Sequence, residues 1–572
     1  MITEAVFHLV KLEKHGQFKK FEIMNNSLKT PVENFLYWEK KKGKDTFLVQ
    51  PIDGKYIEFS WERVGGEARK MCNYINSLKL PKKSKIAILS KNCAHWIIAD
   101  LAIMMSGNIS VPIYANVNGD TAKYILNHSE SELLFIGKLE KSDWHDIRSN
   151  IPKKIKRIDF GYYNLDSDFQ KWDEVISNQN DEILLPSIKI EDIITIIYTS
   201  GTTGIPKGVV LNYKAAATAT KNLDLLFPLD ENDRFISYLP LSHIAERALV
   251  EHGGILSGGR IFFVETLETF PKNLKYCKPT IFFGVPRIYT KFMNKIQSII
   301  PQNIIKLTLN TPVIGSLFSQ LIRKLLGLNK SRICITGAAS ISVSTLEWFN
   351  KLGLKIYEAY GMSENSACSH GNFPGNIKFG TVGKAMPDTD VKITDKGEII
   401  MKNDCIMKGY YKENKLTEDT IKNGYLYTGD KGLIDEDGYL KITGRIKDIF
   451  KTSKGKYVAP NPIEIKLSKS NFIEQVCVVG ENLTQPIALV ILSEGKKIAK
   501  EVINNFSELL DTINNTLEKH ERIKKIIVLK DSWSTENNIL TPTLKIKRAS
   551  IEKKYKEFYD YWFNSKERIL FQ

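Results

Sequence analysis

The stretch IIYTSGTTGIPKGVV, Ile196 to Val210, is an apolar run that breaks into Ser, Thr and Gly, carries a single Lys and becomes apolar again. A loop of this kind has little to pack and many backbone N–H groups to offer, which suits a phosphate. Ser200, Thr202 and Thr203 supply hydroxyls, and Gly201 and Gly204 permit tight curvature with N–H groups turned inward. Lys207 adds a point charge able to follow a moving pyrophosphate. A Walker-type loop would place the Lys at the start of a helix, followed by Ser or Thr. Here Lys207 sits between Pro206 and Gly208 and is followed by Val209 and Val210, so the spacing predicts a loop between two strands. A plain surface turn is the alternative, and eleven residues in this order, YTSGTTGIPKG, argue against it.

The elements that would position such a loop are legible around it. KSKIAILS (84–91), HWIIADLAIMMSG (95–107) and ISVPIYANV (109–117) read as strand, helix and strand, a parallel βαβ unit. LLFIGK, TIFFGVP, RICITGAAS and LKIYEAYG read as further buried strands, each ending at a Gly or Pro where a ligand-binding loop of an open sheet would begin. Near residue 390 short alternating strands with DKG, DEDG and SKG turns take over, and the last hundred residues mix strands with Lys-rich helices. The predicted fold class is α/β: a large N-terminal multi-sheet domain and a small α+β C-terminal domain, joined near GRIKD (444–448).

A chain of 572 residues exceeds what one hydrophobic core accommodates. No apolar run reaches membrane-spanning length, and the N-terminus lacks the pattern of a secretory signal, so a cytoplasmic protein is expected. Seven scattered cysteines, an odd number without a CxxC pair, predict reduced thiols and no structural zinc. The net charge of +16 fits either a functional basic surface or a compositional bias toward Lys, Asn and Ile. No RNA-recognition signature or zinc finger accompanies it, which excludes nucleic acid as a partner.

YTSGTTGIPKG resembles the signature loop of the adenylate-forming (AMP-binding) superfamily. Three further stretches agree in the expected order: YEAYGMSE (357–364), YTGD (427–430) and ITGRIKDIFKTSKGKYVAPNPIE (442–464). The resemblance implies two half-reactions at one site. A carboxylate attacks the α-phosphate of ATP to give an acyl adenylate and pyrophosphate, and a thiol, usually that of coenzyme A, then displaces AMP. It further implies a division into an AMP- and acyl-binding domain, 1–446, and a C-terminal cap, 447–572. Thr199 and Glu364 match magnesium-associated positions, and two oxygen donors suit a hard Mg²⁺. Gly337, Ala338 and Ala339 match the step on which adenine lies; Tyr360 packs on the base, with Gly361 and Ser363 in the same segment. Asp430 would accept from the ribose hydroxyls, Arg445 would contact the nucleotide, and Lys447 matches the pivot of the cap. In LTPTLKIKR (540–548) the catalytic lysine of the first step is placed at Lys545, with Lys547 as competitor; Leu544 stands where the family usually has Gly.

YLPLSHIAER (238–247) resembles the segment in which a histidine, here His243, lies beside the acyl carboxylate. KPTIFFGVPRIYTKF (278–292) and KTSKGKYVAPNPIE resemble long-chain fatty acid–CoA ligases, which implies a long-chain fatty acid as substrate. An external acyl carrier protein as acceptor and an inactive fatty-acid-binding homologue remain the alternatives. Residues 299–330, apolar but laced with Lys and Arg, read either as an amphipathic surface for peripheral contact with anionic membrane or as a helical pair packed on the domain. Ile551, Tyr555, Phe558, Tyr559 and Trp562 fall at helical spacing and read as core packing or a subunit contact. The oligomeric state stays open, a homodimer being one option.

Overall fold

The computed structural model describes residues 28–572 apart from 162–164, 166–168, 201–204, 310, 494–499, 535–536 and 542–544. Strand Lys85–Leu89, helix Ala94–Met105 and strand Ile109–Ile113 form the expected unit, with the strands paired in parallel, Lys85 opposite Ile109. They belong to an eight-stranded sheet that also contains Ile193–Ser200 and Pro206–Asn212. A nine-stranded sheet carries the parallel strands Arg234–Ser237, Ile281–Phe283, Ile333–Thr336 and Ile356–Tyr360.

Alternation along the strands builds the layers. Ile86 and Ile88 face one core, and Ala87 and Leu89 face another. Ile333 and Ile335 join the first of these cores from the other sheet, while Cys334 turns to a third. The two sheets therefore share a central hydrophobic layer, and each has a second layer of helices on its outer face. Helix Ala94–Met105 lies in the shared layer and is buried at all twelve positions, which fits its apolar character around the whole circumference.

One residue of that helix is an acid. Asp100 is fully buried, and Arg247, also fully buried, reaches it from the other sheet's crossover with Nη2 at 2.5 Å from Oδ2. Arg247 Nη1 donates to Thr195 Oγ1 (2.7 Å), which donates to the Ser110 carbonyl (2.8 Å). Burial opposes the charge of Arg247, but the carboxylates of Asp100 and Glu251 outweigh it and raise its pKa. Arg247 opens a π-helical turn, Arg247–His252, that widens the helix on this network.

Beyond these sheets, strands Asp390–Ile393, Glu398–Lys402, Ile421–Lys422, Tyr425–Ile434 and Leu440–Arg445 form a smaller antiparallel sheet. The C-terminal part carries a four-stranded mixed sheet, Ile473–Val479, Ile487–Leu492, Ile526–Val528 and Ile569–Phe571. Its clusters begin at Phe450, and those of the larger part end at Ile442. The aromatic stripe near the C-terminus is carried by two short helices, Arg548–Tyr555 and Tyr559–Asn564, joined by a 3-10 turn. Ile551, Tyr555, Tyr559 and Trp562 enter the core, whereas Phe558, in that turn, is exposed and stacks on Trp562. No helix among the described residues is long and apolar enough to cross a membrane, and all seven cysteines are buried free thiols.

Replacing Asp100 by Ala leaves the Arg247 charge buried without its nearest partner and is expected to cost about 3–5 kcal/mol of stability. The double replacement Asp100→Leu/Arg247→Met should recover most of that loss in urea unfolding. A loss below about 1 kcal/mol for the single variant would contradict an ion pair that joins the sheets.

Candidate active site

Strands Ile193–Ser200 and Pro206–Asn212 pair in antiparallel fashion, with Thr199 opposite Lys207, so the opening loop does join two strands. Gly201, Thr202, Thr203 and Gly204 lie outside the described residues. Lys207 is half-buried, has no ion pair among the described residues, and holds Nζ over the ring of Tyr410, 5.8 Å from its centre. The Tyr410 hydroxyl donates to Glu364 Oε1 (2.8 Å). Tyr410 reaches this position because Gly409–Tyr410 pairs with Val209–Val210 on the strand that follows the loop.

Glu364 sits in a 3-10 turn, Ser363–Asn365, directly after strand Ile356–Tyr360. The turn is tight: the Ala367 amide donates to the Met362 carbonyl (2.9 Å), and Ser366 and Ala367 both adopt positive φ. A Cβ on Gly361 would lie 2.3 Å from the Ala367 backbone, so only glycine fits there. Glycine is also required at Gly337, where a Cβ would meet the Ala359 carbonyl at 2.9 Å. Ala338 follows at φ +67°, a strained conformation for a residue with a side chain, and Ala339 is exposed. These segments leave the C-terminal ends of neighbouring parallel strands, where ligands of open sheets bind.

Across the cleft, the strand pair Tyr425–Ile434 and Leu440–Arg445 sets Asp430 opposite Arg445. Gly429, in the left-handed region at φ +73°, bends the strand just before Asp430. The Asp430 carboxylate accepts from the Tyr360 hydroxyl (2.7 Å) and pairs with Arg445 Nε (3.5 Å). Burial and the Asp430 charge push the Tyr360 phenol well above its ordinary value, so it remains a donor. Lys447 is exposed just beyond Arg445 and forms no ion pair among the described residues.

Lys545 comes to the same place from the C-terminal part. The Thr541 amide donates to the Lys545 carbonyl (2.7 Å) and the Lys545 amide to Thr541 Oγ1 (3.0 Å), which fixes the backbone of Lys545. Burial, then the charge of Arg445, lowers its pKa, while Asp430 and Glu364 act in the opposite direction. By area Lys545 is exposed. The two observations agree for an open cleft, where protein surrounds the ammonium without covering it. Lys547, the competitor, donates instead to Asn538 Oδ1 (2.5 Å).

His243 caps the turn Ile244–Glu246, accepting from the Ala245 amide at Nδ1 (3.2 Å). Burial, then the charge of Lys545, lowers its pKa to about 3, so the ring is neutral at pH 7. The loop before it is anchored by Asn92, which donates to Ser237 Oγ and the Leu239 carbonyl and accepts from the Leu241 amide. Asn92 and Tyr410 carry no motif in the sequence; their part is visible only once distant strands are paired.

The described residues thus bring together two acids, Glu364 and Asp430, with three cations, Lys207, Arg445 and Lys545, beside a neutral imidazole. Glu364 Oε2 has no protein partner among the described residues, and Thr199 offers a hydroxyl on the strand facing Lys207. Such hard oxygen donors fit Mg²⁺.

A family model described as "AMP-binding enzyme" matches residues 35–411, and one described as "AMP-binding enzyme C-terminal domain" matches 447–567. The chain belongs to the AMP-binding enzymes. Among its curated relatives, long-chain-fatty-acid–CoA ligase 5 of Rattus norvegicus is 30% identical, over 87% of this chain and 83% of the relative. Long chain acyl-CoA synthetase 2 of Arabidopsis thaliana is 27% identical, over 95% and 93%. In fold, this AMP-binding enzyme is similar to the anthranilate CoA ligase AuaEII in complex with anthranoyl-AMP, with a TM-score of 0.77 at 21% identity, over 92% and 97% of the chains. It is likewise similar to the A domain of a carboxylic acid reductase from Segniliparus rugosus, solved with AMP and a co-purified carboxylic acid, with a TM-score of 0.78 at 19% identity, over 93% and 94%. Asp430 and Arg445 fall between the two matched spans.

A neutral His243 gives a direct expectation. In an NMR titration its ring signals, assigned with His243→Gln, should stay constant from pH 8 down to pH 5. A midpoint near the ordinary value of 6.5 would show that the ring is not desolvated as described.

Proposed function

We propose that this enzyme activates long-chain fatty acids to acyl-CoA through an acyl adenylate, consuming ATP and coenzyme A and releasing AMP and pyrophosphate. The observation that carries the reading is the convergence of Lys545, from the C-terminal part, with Asp430, Arg445, Glu364 and His243 from the larger part. The curated relatives named as long-chain acyl-CoA ligases supply the substrate class.

In the first step a fatty carboxylate oxygen bonds to the α-phosphorus of ATP, and the bond to the pyrophosphate oxygen breaks. Negative charge builds on the α-phosphoryl oxygens and the departing pyrophosphate, so the residues needed are cations and oriented donors. Lys545 is assigned to the α-phosphate and carboxylate, and Lys207, with the loop it follows, to the leaving pyrophosphate. Asp430 holds the ribose hydroxyls; Tyr360 and the strained Gly337–Ala338–Ala339 step receive the adenine. Glu364 and Thr199 would hold Mg²⁺, which when bound supplies charge neutralisation to the phosphates. Neutral His243 borders the acyl carboxylate without adding charge beside it. In the second step the coenzyme A sulfur, having lost its proton, bonds to the acyl carbon and AMP leaves. Only the first step uses Lys545, and the cap 447–572 is proposed to swing about Lys447 between the two. The division at 446/447 is supported by hydrophobic clusters that stop at Ile442 and resume at Phe450. A cytoplasmic location, where ATP and coenzyme A are supplied, belongs to the same proposal.

The test is product analysis with ATP, Mg²⁺ and a mixed fatty-acid pool. AMP and pyrophosphate should appear with sustained turnover only when coenzyme A is present. A burst of AMP that coenzyme A cannot relieve would assign the acyl group to a carrier protein, and ADP would refute adenylation. Lys545→Ala should slow adenylate formation by about 10²–10³-fold, as loss of one oriented charge-stabilising group does. The same variant should still convert preformed acyl adenylate to thioester, and equal loss of both half-reactions would contradict the assignment.

A further inference from the structure

Two consecutive helices, Gln302–Leu309 and Pro312–Leu326, cover the outer face of the nine-stranded sheet and bury only one side of themselves. Ile305, Ile322 and Leu326 point into the core, and Ser319 Oγ ties the second helix to the Leu352 carbonyl (2.6 Å). The opposite side is apolar as well. Leu307 is 75% exposed, Val313 73%, Leu317 63% and Leu321 54%, and Ile314 and Leu325 are also exposed. Scattered exposed leucines are ordinary, but this number on one helix pair makes an apolar patch that nothing among the described residues covers.

Basic residues predominate along the stretch that carries the patch. From Thr269 to Leu346 the chain has eleven Lys and Arg residues and no Asp or Glu. Lys275, Lys291, Lys295, Lys324 and Lys330 are exposed and have no acidic partner among the described residues. Lys275 lies on a helix, Phe270–Cys277, that packs against Pro312–Leu326, and Lys291 and Lys295 lie on the helix Pro286–Ile299 that leads into the pair. An aliphatic centre flanked by these unpaired lysines complements a surface that is apolar within and anionic at its edge. Protein interfaces are enriched at their centres in aromatic residues and Met, whereas these exposed side chains are all Leu, Ile or Val.

We propose that this helix pair docks the enzyme on an anionic lipid bilayer, with Leu307, Leu317 and Leu321 entering the acyl boundary and the flanking lysines resting on the headgroups. The helix Pro286–Ile299 runs from the site end of strand Ile281–Phe283 to the patch, 14 residues or about 21 Å. A docked enzyme would hold its site near the lipid phase in which long-chain fatty acids reside. That purpose rests on the proposed function; the docking itself does not.

Vesicle flotation of the full chain tests it, with phosphatidylcholine alone against phosphatidylcholine containing about 30% phosphatidylglycerol. Wild type should float with the anionic vesicles at low salt and be released at high salt. Leu317→Ser/Leu321→Ser and Lys324→Glu/Lys330→Glu should each bind about tenfold more weakly. Because these side chains are exposed and belong to none of the site segments, turnover of a water-soluble medium-chain acid should be unchanged in both variants. No flotation of wild type, or equal flotation of wild type and variants, overturns the proposal. Self-association of wild type without lipid, abolished by the serine variant, also overturns it and assigns the face to a second copy of the chain. Flotation without ligase activity would refute the proposed function and leave the docking intact.

Discussion

A fully buried ion pair between two sheets is the constraint on which the rest of the structure depends. Arg247 leaves the nine-stranded sheet, crosses the shared hydrophobic layer and meets Asp100 and Thr195 on elements of the eight-stranded sheet. Thr195 lies on the strand that ends in the phosphate loop, and Arg247 lies four residues after His243. One side chain thus fixes the distance between the loop that would hold phosphate and the wall that would meet the acyl carboxylate. Asn92 repeats the crossing with hydrogen bonds alone and pins the loop before His243. Charges are costly in such a layer, and a hydrophobic pair would fill it at less expense. An ion pair with directional hydrogen bonds, however, sets one register between the sheets, and the site sits where both contribute loops.

The site places acidic and basic groups on both sides of the cleft. Lys207 stands without an acid near the loop, while Asp430 and Glu364 are each held by a tyrosine hydroxyl, from Tyr360 and Tyr410 respectively. A tyrosine donor orients a carboxylate without neutralising it; among the described residues Glu364 keeps Oε2 open, whereas Asp430 is also paired with Arg445. Burial first, and then the field of Arg445, lower the pKa of Lys545, while Asp430 and Glu364 oppose them.

Much of this was legible in the chain. Pro206 and Gly208 around Lys207, with Val209 and Val210 beyond, excluded a helix and forced the strand pair that the structure contains. The strands ending in Gly337 and Gly361 were marked by apolar runs stopping at small residues, and the close approaches there admit nothing larger. Other features were hidden for a physical reason: they depend on partners far away in the chain. Asp100 meets Arg247 across 147 positions, and Glu364 meets Tyr410 across 46. Lys545 and Lys547 lie two residues apart in one motif, and the hydrogen bond that engages Lys547 with Asn538 is a contact the pattern does not show. At the C-terminus the helical spacing of the aromatics held, but the helix breaks at Phe558 and leaves that ring outside.

The account turns on reversible transfer of AMP to a carboxylate, and isotope exchange between labelled pyrophosphate and ATP measures that step without coenzyme A. Wild-type enzyme with Mg²⁺ should move label into ATP only when a long-chain fatty acid is present, because the adenylate must form before pyrophosphate can return. Exchange independent of the acid, or none with any acid while ATP is still hydrolysed to ADP, would contradict adenylation at this site.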